Sequence, residues 1–572
     1  MHKALLTSLS LALLVSTAHA TAPKDTLVMQ WASDITTLDP AQAYDGASFA
    51  VTENLYDTLV TYAGSNLKTP VPSLATRWTI RPDGRQYTFD LRKNVKFHSG
   101  NAFACADAEY SLRRMLVTNH AESGIWYVAE SLLGTGSNAN DDKSVTWAKI
   151  SAAVKCNAAG QLVLTLPKAD PALLSKLASQ NTAIVDRVHA VRLGDWNGTE
   201  STWKAWIGKD LTNSVLHRQP SGTGAYRLVR RDAQSLLAVR FDGYWGKAAP
   251  LKNVVLQLVP EEAARLAAFN RCDADIIELD GRASLVQVKS MPQATIVDGL
   301  PDLATPVIAM NQDIKDPALL GSGKLDGRGI PANFFADLNV RRAFNFAFDR
   351  TRYVREITDG TGLTRTMALP PSFLGYDEKI AQFPYSPARA AEEFKKAFGG
   401  RLWQNGFVLN VTYRSDLSSS QTTMELLKQS VEAINPKFRV NLLPLAYSEL
   451  LAASKEGKTT MVGLLWSPDY LDPDNIMYTL YSSEGYYAPR TSFKDAQIDA
   501  MLERARTITD AKAREALYQS VGARAQTLAP YILLPSEPNF VAYCRSLKGI
   551  SKATFNPMLG SLSGVYWRNL SK

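Results

Sequence analysis

The sequence predicts an α/β fold with more than one lobe, and three observations carry that expectation. The chain has 572 residues, more than one hydrophobic core usually serves. Residues 407–466 alternate strand and helix patterns as β-α-β-α-β: Phe407–Tyr413, Ser418–Ile434, Arg439–Leu445, Tyr447–Lys455 and Met461–Trp466. A second run, Val254–Val259, Glu261–Phe269 and Asp275–Leu279, reads strand–helix–strand, and a right-handed crossover of this kind implies a parallel pair.

Met1-His2-Lys3 is basic, Ala4–Val15 is apolar but too short to span a bilayer, and Ala18-His19-Ala20 is an A-x-A cleavage site. Residues 1–20 therefore read as an export signal cleaved after Ala20. Thr21 follows in place of a lipoprotein cysteine, which favours a soluble periplasmic product. No later segment approaches the roughly 18 apolar residues of a membrane span. Thr26–Trp31 opens the mature chain as a short strand. Trp78-Thr79-Ile80 and Tyr87–Leu91 flank the turn Arg81-Pro82-Asp83-Gly84 as a hairpin. A second turn at His98–Asn101 releases an amphipathic helix with Ala108, Leu112 and Met115 on its apolar side. A strand is expected at Leu162–Leu166 and a hairpin at Tyr226–Arg230 and Leu236–Phe241. Leu338–Asp349 reads as a helix, and Ser418–Ile434 as a helix capped by one of its own serines. The 499–528 region reads as helical, and 531–543 as strands.

The composition is that of an ordinary globular protein, 45% apolar and 21% charged, with a formal charge of +8. The basic residues are scattered, which argues against a nucleic-acid surface. His98, His120, His189 and His217 are dispersed, with no metal-ligand spacing, so no metal or other cofactor is expected. No G-x-S-x-G is present, which removes the simplest hydrolase reading. Gly321-Ser322-Gly323-Lys324 lacks the Ser or Thr of a phosphate loop, since Leu325 follows.

The stretch from Pro72 to Arg114 closely resembles a signature of the extracytoplasmic solute-binding proteins of family 5, the peptide- and nickel-type binding components of ABC importers. Pro82-Asp83-Gly84, Thr88-Phe89-Asp90-Leu91-Arg92 and Val95-Lys96-Phe97-His98-Ser99-Gly100 carry the likeness. Leu38-Asp39-Pro40, Gly222-Thr223-Gly224-Ala225-Tyr226, Asp242–Gly246, Leu338–Arg350 and Trp466–Asp474 extend it along the chain. The resemblance implies a two-lobed periplasmic-binding-protein fold of type II, in its large three-subdomain variant, with a hinge and an interlobe ligand cleft. Lobe I would combine residues 21–72, 217–300 and 527–572, with 73–216 inserted, and residues 301–526 would form lobe II. The implied protein is a monomeric receptor, not an enzyme, that passes short peptides to an inner-membrane ABC permease. The same fold binding a nickel chelate, an oligosaccharide or an opine is the alternative. Four cysteines in an exported chain suggest disulfides, and three pairings are possible. Cys105–Cys156 falls within the inserted subdomain and Cys272–Cys544 would tie the chain end to the middle, so this pairing is favoured.

Ligands in open α/β sheets bind beyond the carboxyl ends of strands. Arg414 and Trp466-Ser467-Pro468-Asp469-Tyr470 lie at two such ends of the 407–466 unit. A guanidinium grips a terminal carboxylate and a carboxylate pairs an α-ammonium, so Arg414 and Asp469 suit a zwitterionic peptide. Trp466 and Tyr470 would wall the side chains. In the family the Asp of a Trp-x-x-Asp-Tyr element binds the peptide amino group, and Asp469 matches it. Arg414 matches only by position at a strand end, where an arginine is most often a surface charge.

Overall fold

A computed structural model describes residues 23–559 and 564–572. The export signal and its cleavage site lie outside the described residues. Among the described residues there are five sheets, and four of them organise most of the chain. The first has seven strands in the order Ala294–Leu300, Asn539–Cys544, Ile276–Ile277, Thr26–Trp31, Asn253–Leu258, Ser235–Arg240 and Tyr226–Arg231. Its centre is parallel: Thr26–Trp31 lies between 253–258 and 276–277 and runs with both. The expected crossover thus spans one intervening strand, with helix Glu262–Asn270 making the connection.

The second sheet belongs to the hairpin segment, with strands Ala75–Ile80, Gln86–Leu91, Leu162–Thr165 and Val154–Cys156 in order. Trp78 faces Phe89 across the hairpin, and Gly84 at the turn has φ 68°, a conformation that glycine adopts without strain. Helix Cys105–Thr118 packs beside it. Arg114 of that helix is buried between two carboxylates, 2.6 Å from Asp39 and 2.8 Å from Asp195. This triad fixes the Leu38-Asp39-Pro40 turn to the segment.

Downstream, Phe407–Arg414 and Phe438–Leu445 pair in parallel, as the pattern predicts. Met461–Trp466 does not continue their ladder. It pairs antiparallel with Thr305–Met310, which pairs in turn with Tyr531–Leu533. Its partner lies about 150 residues upstream, so local periodicity carries no trace of the pairing. The two sheets touch through Thr412 Oγ1, which donates to the carbonyl of Met461. The expected residues 527–572 of lobe I divide between sheets, with 531–533 beside 307–309 and 539–544 in the seven-stranded sheet. Helix Ser418–Glu432 starts at Leu417 without a side-chain cap, and Ser420 Oγ instead accepts from the backbone N–H of Arg414 at 3.2 Å. Both favoured disulfides are present: Cys105–Cys156 and Cys272–Cys544, each with Cα atoms 6.0 Å apart. Among the described residues no helix is long and apolar enough to cross a membrane.

Candidate functional site

Gly222-Thr223-Gly224 packs behind residues 53–58, which line a cavity. A Cβ at Gly222 would lie 2.1 Å from the carbonyl oxygen of Leu55, and one at Gly224 would lie 2.5 Å from that of Asn54. Only glycine lets this loop close on the end of helix Gly46–Leu55. The contact sets Thr223 Oγ1 to donate to Asp57 Oδ2 at 2.8 Å, and Trp245 Nε1 donates to the same oxygen at 2.9 Å. His98 bonds the carbonyl of Gly224 from behind, and burial pushes its imidazole down to about 4, so it is neutral.

The cavity encloses about 580 Å³, within the range of small-molecule sites. Its lining comes from 44–73, 178–181, 244–245, 302–304, 465–469 and the C-terminal 539–568 region. Asp469 enters on the loop after strand Met461–Trp466. Tyr44 Oη donates to its Oδ1 at 2.6 Å, Asn475 Nδ2 donates to its Oδ2 at 3.3 Å, and burial pushes its carboxyl above the usual range. Tyr44 stands on the loop before helix Gly46–Leu55, so this bond joins the two walls.

Helix Gly46–Leu55 also carries Glu53, which is 4% exposed. Neither of its carboxylate oxygens has a hydrogen-bond partner. Burial holds its carboxyl well above the ordinary range, with Arg568 offsetting part of that effect. Among the described residues Arg568 is the one cation in the lining, half-buried with its guanidinium 4.4 Å over the Tyr566 ring. Among the described residues no carboxylate lies within ion-pairing distance of it. Asp302 is pushed up to about 6 by burial, against the pull of Arg365, which is 3.8 Å away. No three His, Cys, Asp or Glu side chains converge as metal ligands among the described residues.

Of the four residues the sequence points to, the cavity takes Asp469. Trp466 turns its Nε1 to Asn475 at 2.8 Å and packs its ring on Tyr486 and Tyr487. It orients the asparagine that holds Asp469. Tyr470 is buried the other way: its hydroxyl donates to Asp474 and its ring meets Tyr127 and Lys176 of the hairpin segment. Arg414 is outside the lining. It makes a two-pronged bond to Asp416, two residues on, and lies 4.2 Å over the Tyr447 ring. Tyr44, Glu53, Asp302 and Arg568 escaped sequence reasoning. Trp245 sits in Asp242–Gly246, a segment singled out only as a family likeness, and that likeness was the available signal.

The family of bacterial extracellular solute-binding proteins, family 5 (middle region), matches residues 69–488. The chain belongs to this family. Family 5 proteins are solute-binding components of ABC importers. Among relatives of this family 5 chain, heme-binding protein A of Haemophilus influenzae is 25% identical over 90% of this chain and 88% of its own. The dipeptide-binding protein of Escherichia coli is 23% identical over 95% of each. The solved structure of HbpA2 from Haemophilus parasuis superposes with a TM-score of 0.75 at 21% identity, covering 96% of this chain and 99% of that one. The fold is the two-lobed α/β fold of periplasmic binding proteins.

Proposed function

We propose that this family 5 protein captures short peptides in the cavity between its lobes and delivers them to an inner-membrane ABC permease. The observation that carries the reading is Asp469, a carboxylate held by Tyr44 and Asn475 on the wall of a peptide-sized cavity. A carboxylate fixed at its back by two donors is oriented to receive an α-ammonium, a charge-assisted bond. Arg568 takes the part the sequence suggested for Arg414, because it alone brings a cation to the lining and has no carboxylate of its own. Trp245 and Tyr244 supply apolar wall. The receptor works as a monomer in the periplasm after removal of residues 1–20. Lobe I is 21–72, 217–300 and the end of the chain from 539, with 73–216 inserted, and lobe II is 301–526 together with strand Tyr531–Leu533, which pairs with Thr305–Met310. Binding closes the lobes about the hinge, and the work done is selection, not chemistry.

Because a ligand bound only to the folded state stabilises it, a panel of di- and tripeptides should raise Tm. The panel includes N-acetylated controls, and heme and nickel–histidine as rival cargo. A response to free-amino peptides that is lost on N-acetylation is expected. A shift with heme or the nickel chelate alone would reassign the cargo within the same fold.

A further inference from the structure

The protein as a whole is basic, with a formal charge of +8, yet its cavity is acidic. Asp45, Glu53, Asp57, Asp302 and Asp469 line it against the single guanidinium of Arg568. Four of these five carboxyls have protein partners. Asp45 caps helix Gly46–Leu55 by accepting from Ser48 N and Oγ. Asp57 accepts from Thr223 and Trp245, Asp302 from the backbone of Ala304, and Asp469 from Tyr44 and Asn475. Glu53 is the exception. It is 4% exposed and belongs to the cavity lining, and among the described residues both oxygens lack a partner and are closed off from solvent.

A buried polar group without a partner costs more than a satisfied one gains, so native proteins keep few of them without a reason. Arg568 does not relieve Glu53, because it stays beyond ion-pairing distance. A cationic group in the cavity would, once the Glu53 side chain turns toward it, by giving the carboxylate both a counter-charge and N–H donors. The surplus of carboxyls acts in the same direction, since a walled-off site lined by one sign of charge focuses the field on solutes of the opposite sign.

We infer that Glu53 is a ligand-binding residue and that the cavity selects solutes carrying a positive group in addition to an α-ammonium, which among short peptides means those with a lysine or arginine side chain. The inference rests on the peptide reading for its substrate but not for its site. The α-ammonium meets Asp469 on the 465–469 wall, and the basic side chain meets Glu53 on the wall formed by helix Gly46–Leu55. Arg568, beside Glu53, repels that side chain mildly and holds the peptide carboxylate, so the order of charges along the ligand is set by three residues from three parts of the chain.

The test is titration calorimetry on the full mature chain with Ala-Lys, Ala-Leu and Ala-Glu, and with 1,5-diaminopentane as a cation that is not a peptide. Ala-Lys is expected to bind at least about tenfold tighter than Ala-Leu, with Ala-Glu weakest. Glu53→Gln keeps the shape and removes the charge, and it should bring Ala-Lys to the level of Ala-Leu without weakening Ala-Leu. Glu53→Asp, which keeps the charge, should retain part of the preference and guards against a folding defect in the amide variant. Binding of the diamine but of no peptide leaves the cation site standing and removes the peptide reading. Equal affinity for Ala-Lys and Ala-Leu, or a preference that survives in Glu53→Gln, overturns the inference while the peptide reading stands. Failure of every cationic probe to bind overturns it as well.

Discussion

Two buried charge clusters in this protein are built on opposite terms. Asp39, Arg114 and Asp195 form a closed set: Arg114 is 1% exposed, donates to both carboxylates, and no carboxylate oxygen of the pair lacks a donor. Glu53 and Arg568 form an open one, close enough to influence each other and too far apart to pair. The closed cluster lies where the family signature is densest, between the Leu38-Asp39-Pro40 turn and the helix that ends the hairpin segment. The open cluster lines the cavity. The contrast teaches that a charge satisfied by the protein belongs to the scaffold, whereas a charge left unsatisfied is addressed to something outside it.

The contrast breaks most readily at Arg114. Arg114→Ala leaves two buried carboxylates facing each other, a loss of about 3–5 kcal/mol for a broken buried pair. Urea unfolding should report that loss, and peptide affinity of the remaining folded protein should stay unchanged. An affinity that falls while stability holds would place Arg114 on the ligand's side of the comparison. Asp469→Ala is the converse. It removes a charge-assisted contact of about 1.5–3 kcal/mol and should weaken free-amino peptides by roughly one to two powers of ten. The apo protein should melt nearly as before, because Tyr44 is 43% exposed and can turn to water. Equal weakening of N-acetylated peptides would remove the assigned role.

How far the sequence reached follows the same line. Helix Tyr447–Lys455 and strand Met461–Trp466 are legible residue for residue, because their periodicity is local. The sheet that receives Met461–Trp466 is not, because Thr305–Met310 reaches it through a pairing that spans the lobe. Asp469 is legible because it sits inside a compact motif. Arg568 and Glu53 are not, since about 500 residues separate them and only the closed fold brings them to one cavity. Arg414 has the right chemistry at a strand end, and its neighbour Asp416 claims it.

Asp302 sharpens the comparison through pH. Burial pushes its carboxyl up to about 6 in the folded protein, while the unfolded chain holds it near the ordinary value of about 3.9. Between these values the folded state binds a proton that the unfolded state has released. Stability contributed at this site therefore falls as pH rises through that window and levels off above it. The span is on the order of 3 kcal/mol, and Asp302→Asn should remove it. Urea unfolding from pH 4.5 to 7.5 measures both slopes, and parallel curves for the two proteins would show that Arg365 satisfies Asp302 after all.

The smallest effect is expected at Arg414, and it is the most discriminating. Its guanidinium is bound to Asp416 in two places, and its side chain is about one-third exposed. Exposed pairs of this kind contribute about 0.2–1 kcal/mol. Arg414→Ala should therefore cost less than about 1 kcal/mol of stability and leave the affinity of Ala-Lys and Ala-Leu where it was. Arg568→Ala, by contrast, should weaken both, because the terminal carboxylate loses its only cation. If the two variants exchange these outcomes, the ligand's carboxylate reaches past the cavity to the 407–466 unit, Arg414 must leave Asp416 to meet it, and a charge paired in the empty protein has become a binding group.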